Sequence, residues 1–397
     1  MDLRQVESRD LKNRKVLVRV DFNVPFKDGK ITDSTRISAH KPTIDLLRDS
    51  GAKIALVTHF GRPGGKRDEK FSTRHLVNEI QYLYGMKVRF VDDVKGQNIT
   101  DSMQTLENNE LILLENIRFN PEEKKNDKVF ATELGKSFDL FIMDAFSACH
   151  RAHASTNAIQ QVIPSYAGLL LKKEVDMLGN VKEDPEKPFT IILGGAKVSD
   201  KIGVIESLMD KASSILIGGG MAFTFLKASG RNTGNSIVEE ERIEYTKKIM
   251  SKAKDHGVAI VLPVDFRVGL SPEDERSDIV DAEALPDGKM GLDIGPVTSG
   301  LFKAYIENSR TVLWNGPLGV FENPVFESGT HEIADFIANQ TDEGKLFSVI
   351  GGGDSAAAVK KFGLADRMSH VSTGGGASLE FFEKDILPGI KPLIDQK

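Results

Sequence analysis

At 397 residues, 40% hydrophobic and 28% charged, the chain has the size and composition of a soluble protein with two cores. A net charge of −6 argues against a nucleic-acid or anionic-membrane surface, and a lone Cys149 excludes a disulfide framework. No apolar run reaches the length of a membrane span, and the opening MDLRQVESRD has no secretory apolar core, so a reducing cytoplasm is expected.

In chain order, KVLVRV (15–20), KIALVTH (53–59), KVRFV (87–91), LILLEN (111–116) and LFIMDAF (140–146) read as short buried strands. Longer amphipathic stretches separate them, the pattern of a parallel α/β sheet. Four of these runs end in chemistry: Asp21 and Asn23; His59 and Arg62; Glu115 and Arg118; Asp144 with His150 and Arg151. Pro25 stops further ladder pairing, so Asp21 and Asn23 sit at a strand end, where they suit substrate hydroxyls and also serve as ordinary turn residues. In ITDSTRI (31–37), Asp33 or Ser34 caps a helix starting near Thr35. That places Arg36 at the positive end of a helix dipole, a misfit answered by a nearby anion or by solvent. THFGRPGG (58–65) sets His59 and Arg62 on one glycine-containing loop, two donors convergent on an anion. Arginine is uneven, with 12 in residues 1–170 and 6 in the remaining 227, as expected if one half holds a small, highly charged anion. His150 and His153 have spacing open to a metal, but no cysteine or carboxylate pattern accompanies them. Cys149 beside His150 lacks the geometry of a nucleophile–base pair.

Residues 169–182 (LLLKKEVDMLGNVK) put Leu171, Val175 and Leu178 on one helical face, and Asp184-Pro185 and Lys187-Pro188 then break the pattern. A connecting helix is expected there, followed by the strand FTIIL. Five apolar runs of the second half stop at glycine or small polar clusters: IILGGAK, ILIGGG, VLWNGPLG, SVIGGGDS and HVSTGGG. Glycine at the carboxyl ends of parallel strands allows close backbone approach to a ligand, and such turns opening helices favour phosphate. In GGAKVSDK (194–201), Lys197 and Lys201 are expected on one side of a helix's positive end, neutralised by polyphosphate. LGKS (134–137) imitates a P-loop, but Phe130 occupies the first glycine position. GGGDSAAAV (351–359) is a phosphate cradle with Asp354 available for magnesium. It also fits a loose GxGxxA dinucleotide fingerprint through Gly351, Gly353 and Ala356, yet no acid ends the next strand, SHVSTGGG. WNGPLGVFE (314–322) adds Asn315 and Glu322, and Trp314 reads as packing.

VRVDFNVP, THFGRPGG, ENIRF, HRAHAST, GGAKVSDK, WNGPLGVFE and GGGDS occur in an order that resembles the phosphoglycerate kinase family over the whole chain. The resemblance implies an α/β fold of two doubly wound parallel-sheet (Rossmann-like) domains facing across a cleft and joined by a helix. The expected divisions are 1–170 for phosphoglycerate, 171–184 for the helix, 185–380 for nucleotide, and 381–397 for a tail returning to the first domain. It further implies Asp21, Phe22, Asn23, Arg36, His59, Phe60, Gly61, Arg62, Arg118 and Arg151 as substrate contacts, with Arg36 and Lys197 catalytic. Lys201, Gly291, Asn315, Glu322, Gly351, Gly352, Gly353, Asp354 and Ser355 fall to the nucleotide, and Asp354 to Mg2+. SACHR (147–151) departs from the common GTAHR but keeps His150 and Arg151. The implied partners are 3-phosphoglycerate or 1,3-bisphosphoglycerate and Mg-ADP or Mg-ATP. No organic prosthetic group, nucleic acid or membrane is implied, and the expected state is a cytoplasmic monomer that closes by hinge motion.

Overall fold

The computed structural model describes residues 1–6 and 10–394; residues 7–9 of the expected first domain and 395–397 of the expected tail lie outside the described residues. The chain divides into two compact units, one formed by residues up to Asp176 with those from Asp385 on, the other by Met177–Lys384. The division falls within the helix Leu169–Glu183. The helix Gly376–Glu383 packs in the second unit, so the return to the first begins at Asp385.

In the first unit the strands are β1 (Lys15–Arg19), a small hairpin of β2 (Phe26–Lys27) and β3 (Lys30–Ile31), then β4 (Lys53–Val57), β5 (Lys87–Val91), β6 (Glu110–Leu114), β7 (Leu140–Met143) and β8 (Ser165–Ala167). Six of them form a parallel sheet in the order β5-β6-β4-β1-β7-β8. Both faces are covered, which is why these strands are near-continuous apolar runs. From β1 the chain moves to β4 on one side and later to β7 on the other. The order reverses between β1 and β7, where ligands bind in open α/β sheets.

The second unit contains β9 (Phe189–Leu193), β10 (Ser214–Ile217), β11 (Ala259–Val261), β12 (Asp265–Gly269), β13 (Asp278–Asp281), β14 (Met290–Ile294), β15 (Thr311–Asn315), β16 (Phe347–Gly351) and β17 (His370–Val371). The main sheet, β11-β10-β9-β15-β16-β17, is parallel and has the 3-2-1-4-5-6 order of doubly wound nucleotide-binding folds. Its reversal lies between β9 and β15. A separate antiparallel sheet, β13-β12-β14, is an addition that the sequence reading did not anticipate.

The returning segment is tied to the first unit by hydrogen bonds. Gly389 N–H donates to Cys149 O at 2.8 Å, and Asn157 and Gln160 donate to Pro388 O and Gly389 O, each at 2.8 Å. Leu3 bridges Ile394, and Arg4 N–H donates to Leu393 O at 2.9 Å.

Ile192 lies opposite Trp314 in the β9–β15 register, and both are fully buried in one cluster. Ile192→Ala is expected to cost roughly 2–5 kcal/mol through the cavity it leaves. Urea unfolding followed by fluorescence of Trp314, the chain's single tryptophan, checks this.

Candidate active site

At the first unit's reversal point, β1 carries Arg19 inside the core, and Asp21 and Asn23 follow it. A buried guanidinium keeps its charge and needs partners. Arg19 Nε donates to Ser155 Oγ at 2.9 Å, its Nη1 to Val20 O, and its Nη2 to His59 Nδ1 at 3.2 Å. His59 therefore carries its ring proton on Nε2. Burial first, then repulsion from Arg19, Arg118 and Arg36, outweighs attraction to Asp21 and holds His59 well below its ordinary value, as a neutral donor.

Asp21 is buried and accepts Arg36 Nη1 at 2.9 Å and the Ser147 hydroxyl. Burial raises its carboxyl, but the Arg36 guanidinium, the Ser147 hydroxyl and Arg19 outweigh that and leave it below the usual carboxylate range. With His59 neutral, the Arg36 guanidinium is the principal counter-charge. Arg36 lies in a helix of five residues, Thr35–Ala39, begun by Asp33 Oδ1 accepting Thr35 N–H at 2.8 Å. One and a half turns make little dipole, so the expected dipole misfit is replaced by the contact with Asp21.

A second buried carboxylate, Glu123, accepts Ser155 N–H at 2.9 Å and Ser155 Oγ–H at 2.7 Å, linking it through Ser155 to Arg19. Around this pair the cations outnumber their partners. Burial and repulsion from Arg19 and Arg151 push Arg118 down to about 10. Burial and repulsion from Arg118, Arg19, Arg151 and His150 push His153 down to about 4. Arg62 and Arg151 are exposed. Half-buried cations that repel one another are a candidate site for a multivalent anion.

Several expected contacts sit behind this surface. The Phe22 and Phe60 side chains are in the core; Phe22 N–H donates to Thr58 Oγ1 at 2.9 Å, and Phe60 is bracketed by Asn116. Gly61 N–H donates to Asn23 Oδ1 at 2.8 Å, and Gly61 O accepts Arg118 Nη1 at 3.2 Å. At φ +64°, a Cβ on Gly61 would lie 2.3 Å from the Phe71 ring. These residues shape the loop that holds Asn23 and Arg118. Glu115, read as strand-end chemistry, is instead buried against Ser72 and Thr73. Cys149 is buried with its thiol 3.5 Å from Ala145 O, and burial pushes that thiol up, away from nucleophilic use. Arg19, Ser147, Ser155 and Glu123 were not singled out from sequence. The available signal for Arg19 was a charge inside the otherwise apolar run VLVRV.

At the second unit's reversal point the loops after β9, β10 and β15 meet backbone to backbone. Gly194 N–H donates to Asn315 O at 2.9 Å, Gly195 N–H to Pro317 O at 2.9 Å, and Gly219 N–H to Leu318 O at 3.1 Å. A Cβ on Gly194 would lie 2.1 Å from Pro317 O, so only glycine permits this approach. The loops line a cavity of about 240 Å³ together with Phe223, Gly291, Glu322 and Asp354. Gly291 N–H donates to Ser236 Oγ at 2.9 Å, and a Cβ there would strike Phe223.

The helix expected to carry both lysines begins only at Ile202. Lys197 lies exposed in the preceding loop, so the two do not share a helical face. The turn residues between them do not extend the helix, and Ser199 is instead held by Glu239 at 2.7 and 3.0 Å. Lys201 donates to Asn315 Oδ1, and burial lowers its ammonium. Asn315 and Ser355 are buried: Asn315 orients Lys201, and Ser355 Oγ accepts Gly316 N–H at 2.6 Å. Gly352, at φ +89°, precedes the helix Gly353–Lys361, whose first turn exposes Asp354. Trp314 is fully buried, its Nε1–H bound to Gly316 O at 2.7 Å.

The GGGDSA turn follows β16, not the first strand β9, so it is not in the place where a dinucleotide fingerprint works. The family model for phosphoglycerate kinase matches residues 6–385. The chain belongs to the phosphoglycerate kinase family. It is 48% identical over 401 residues to "Phosphoglycerate kinase" of Thermosipho africanus, covering 100% of this chain and 99% of that protein. It is 46% identical over 399 residues to that of Fervidobacterium nodosum, covering 100% of both. The structure of phosphoglycerate kinase from Coxiella burnetii matches with a TM-score of 0.89 at 38% identity, covering 99% of each chain. Membership of this family makes the chain a kinase, a phosphotransferase of glycolysis.

An unfolded chain protonates a histidine near pH 6.5, but folded His153 protonates only near 4. The unfolded state thus binds more protons in between, and this contribution to stability is lost as pH falls from about 6.5 towards 4. Inorganic phosphate in the basic cluster is expected to offset the repulsion and raise the His153 value. An NMR titration of its ring protons, with and without phosphate, checks the shift.

Proposed function

We propose that the basic cluster binds 3-phosphoglycerate or 1,3-bisphosphoglycerate and that the glycine-lined cavity binds Mg-ADP or Mg-ATP. On this reading the chain transfers a phosphoryl group in line between the acyl phosphate and the β-phosphate of ADP, with no phosphoenzyme. The observation that carries it is the division of labour at two reversal points: crowded cations at one, and at the other glycine loops packed around a cavity beside the first turn of the helix Gly353–Lys361. Neither point offers an activated nucleophile, and phosphoryl transfer needs little beyond positioning and charge neutralisation.

Asp21 and Asn23 would contact the glycerate part. Arg36, His59, Arg62, Arg118 and Arg151 would hold the phosphate and the reacting carboxyl, with the backbones of Phe22, Phe60 and Gly61 shaping their loop. Lys197, on its exposed loop, would accompany the moving group, and Lys201 would meet nucleotide phosphate. Gly351, Gly352 and Gly353 would line the phosphates, with Asn315 and Ser355 supporting them from behind. Glu322 would take the ribose, and Gly291 would lie beneath the adenosine. Among the described residues no cluster of three His, Cys, Asp or Glu could hold a metal alone. A single carboxylate at Asp354 fits magnesium that arrives on nucleotide phosphates, because Mg2+ keeps most of its shell as water and phosphate oxygen. Bound there, it would neutralise phosphate charge. Donor and acceptor must touch during transfer, so closure by hinge motion belongs to this reading, as does exclusion of water from the acyl phosphate.

Arg36→Ala and Lys197→Ala are each expected to lower kcat by roughly 10²–10³, by analogy with lost oxyanion donors. Coupled assay of ATP formation from 1,3-bisphosphoglycerate reads this, and near wild-type turnover in either variant would sink the assignment. Asp354→Asn is expected to raise the magnesium concentration needed for half-maximal rate while the KM for 3-phosphoglycerate stays unchanged.

No helix among the described residues is long and apolar enough to cross a membrane. A cytoplasmic monomer completes the proposal, and light scattering should give one species near 43.6 kDa.

A further inference from the structure

Asp21 is gripped twice. Its carboxylate is held by Arg36, while its backbone N–H donates to His40 Nε2 at 3.0 Å. Because Nε2 accepts, Nδ1 carries the proton and donates to Asp144 Oδ2 at 2.7 Å. The other oxygen of Asp144 accepts Leu170 N–H at 3.0 Å and Leu171 N–H at 3.4 Å. Those are orphan amides in the first turn of the helix Leu169–Glu183. Leu169 N–H is satisfied separately by Thr43 Oγ1 at 3.0 Å. A Cβ on Gly168 would fall 2.1 Å from Asp144 Oδ1, so the approach of that helix to the carboxylate also requires glycine.

His40 is the joint between the helix bearing Arg36 and the following helix, Lys41–Asp49. Its ring is 1% exposed and meets Phe22 edge-on at 5.6 Å. A buried histidine with two partners could serve packing alone. Here one partner belongs to the residue that also presents a carboxylate to Arg36. The other caps the helix in which the chain passes from the first unit to the second, at Asp176/Met177.

We propose that His40 is a positioning residue: the relay Asp21–His40–Asp144 ties the Asp21 backbone, and through it the carboxylate that Arg36 holds, to the first turn of the helix Leu169–Glu183. Occupancy of the glycerate site and order in that turn are thereby coupled. The inference rests on Asp21 being a substrate contact, as proposed above.

The full chain tests it through variants that separate the two ring nitrogens. The amide oxygen of His40→Gln reaches the place of Nε2 and can still accept Asp21 N–H, whereas His40→Asn reaches only the place of Nδ1. His40→Ala and His40→Asn are expected to raise the KM for 3-phosphoglycerate roughly 5- to 100-fold, the range for a buried donor left unmatched. The KM for Mg-ATP should stay within about twofold, and His40→Gln should recover most of the loss; a role in packing alone would not separate Gln from Asn. In wild type, 3-phosphoglycerate should slow hydrogen exchange at Leu170 and Leu171, and Asp144→Asn should abolish that slowing. Should His40→Ala fail to fold, the Gln, Asn and Asp144→Asn variants decide the matter. Equal effects of His40→Gln and His40→Asn, or exchange at Leu170 indifferent to substrate in wild type, would overturn the relay. Asp21→Asn separates the two levels: a raised KM there with unchanged His40 variants removes the relay alone. An unchanged KM in Asp21→Asn removes the substrate assignment and the relay with it.

Discussion

A buried cation with further cations crowded around it governs the first unit. Arg19 is buried on a central strand and cannot shed its charge, so the fold surrounds it with Ser155, His59 and a carbonyl, and sets Glu123 and Asp21 nearby. Two buried carboxylates do not neutralise Arg19, Arg36, Arg118 and Arg151. Burial first, and then this residual repulsion, depresses Arg118 and His153. On the proposed reading, a ligand bringing several negative charges would complete the electrostatics that the protein leaves open, at the reversal of strand order between β1 and β7.

On the proposed reading, the second unit would meet a phosphate-bearing ligand by a different physics. Its strand-end loops carry few charges and approach one another through glycine, so the surface they offer is backbone. Asn315 shows how tightly the parts are shared: its backbone carbonyl accepts Gly194, while its side-chain oxygen accepts Lys201. Displacing one loop therefore displaces the other two, together with the lysine.

Much of this was legible in the sequence. Short, mostly apolar runs ending in glycine or polar residues identified ten of the twelve parallel strands, and the same endings put the candidate ligand residues at strand carboxyl ends. The antiparallel sheet escaped because strands such as DIVD (278–281) are exposed and short, with no clean alternation. The lysine loop was misread because VSDK resembles a helix opening, and only the contact from Glu239 reveals why the backbone stays open there. Arg19, Glu123 and Ser155 are far apart in the chain and gain meaning only from their meeting. His40 carried no motif at all. Its partners lie 19 and 104 residues away, a pairing that a single sequence does not disclose.

The segment from Asp385 onward has a bearing on how the molecule is made. Pro388 and Gly389 accept bonds from Asn157 and Gln160 across separations of 231 and 229 residues. A nascent chain leaving the ribosome therefore cannot finish its first unit when that unit's sheet has emerged. The unit waits, with the carbonyl of Cys149 still lacking Gly389, until the second unit has been translated through Lys384. Contacts of such long range slow folding and prolong exposure of apolar surface. Of the two units, the one whose translation starts earlier is the one completed later.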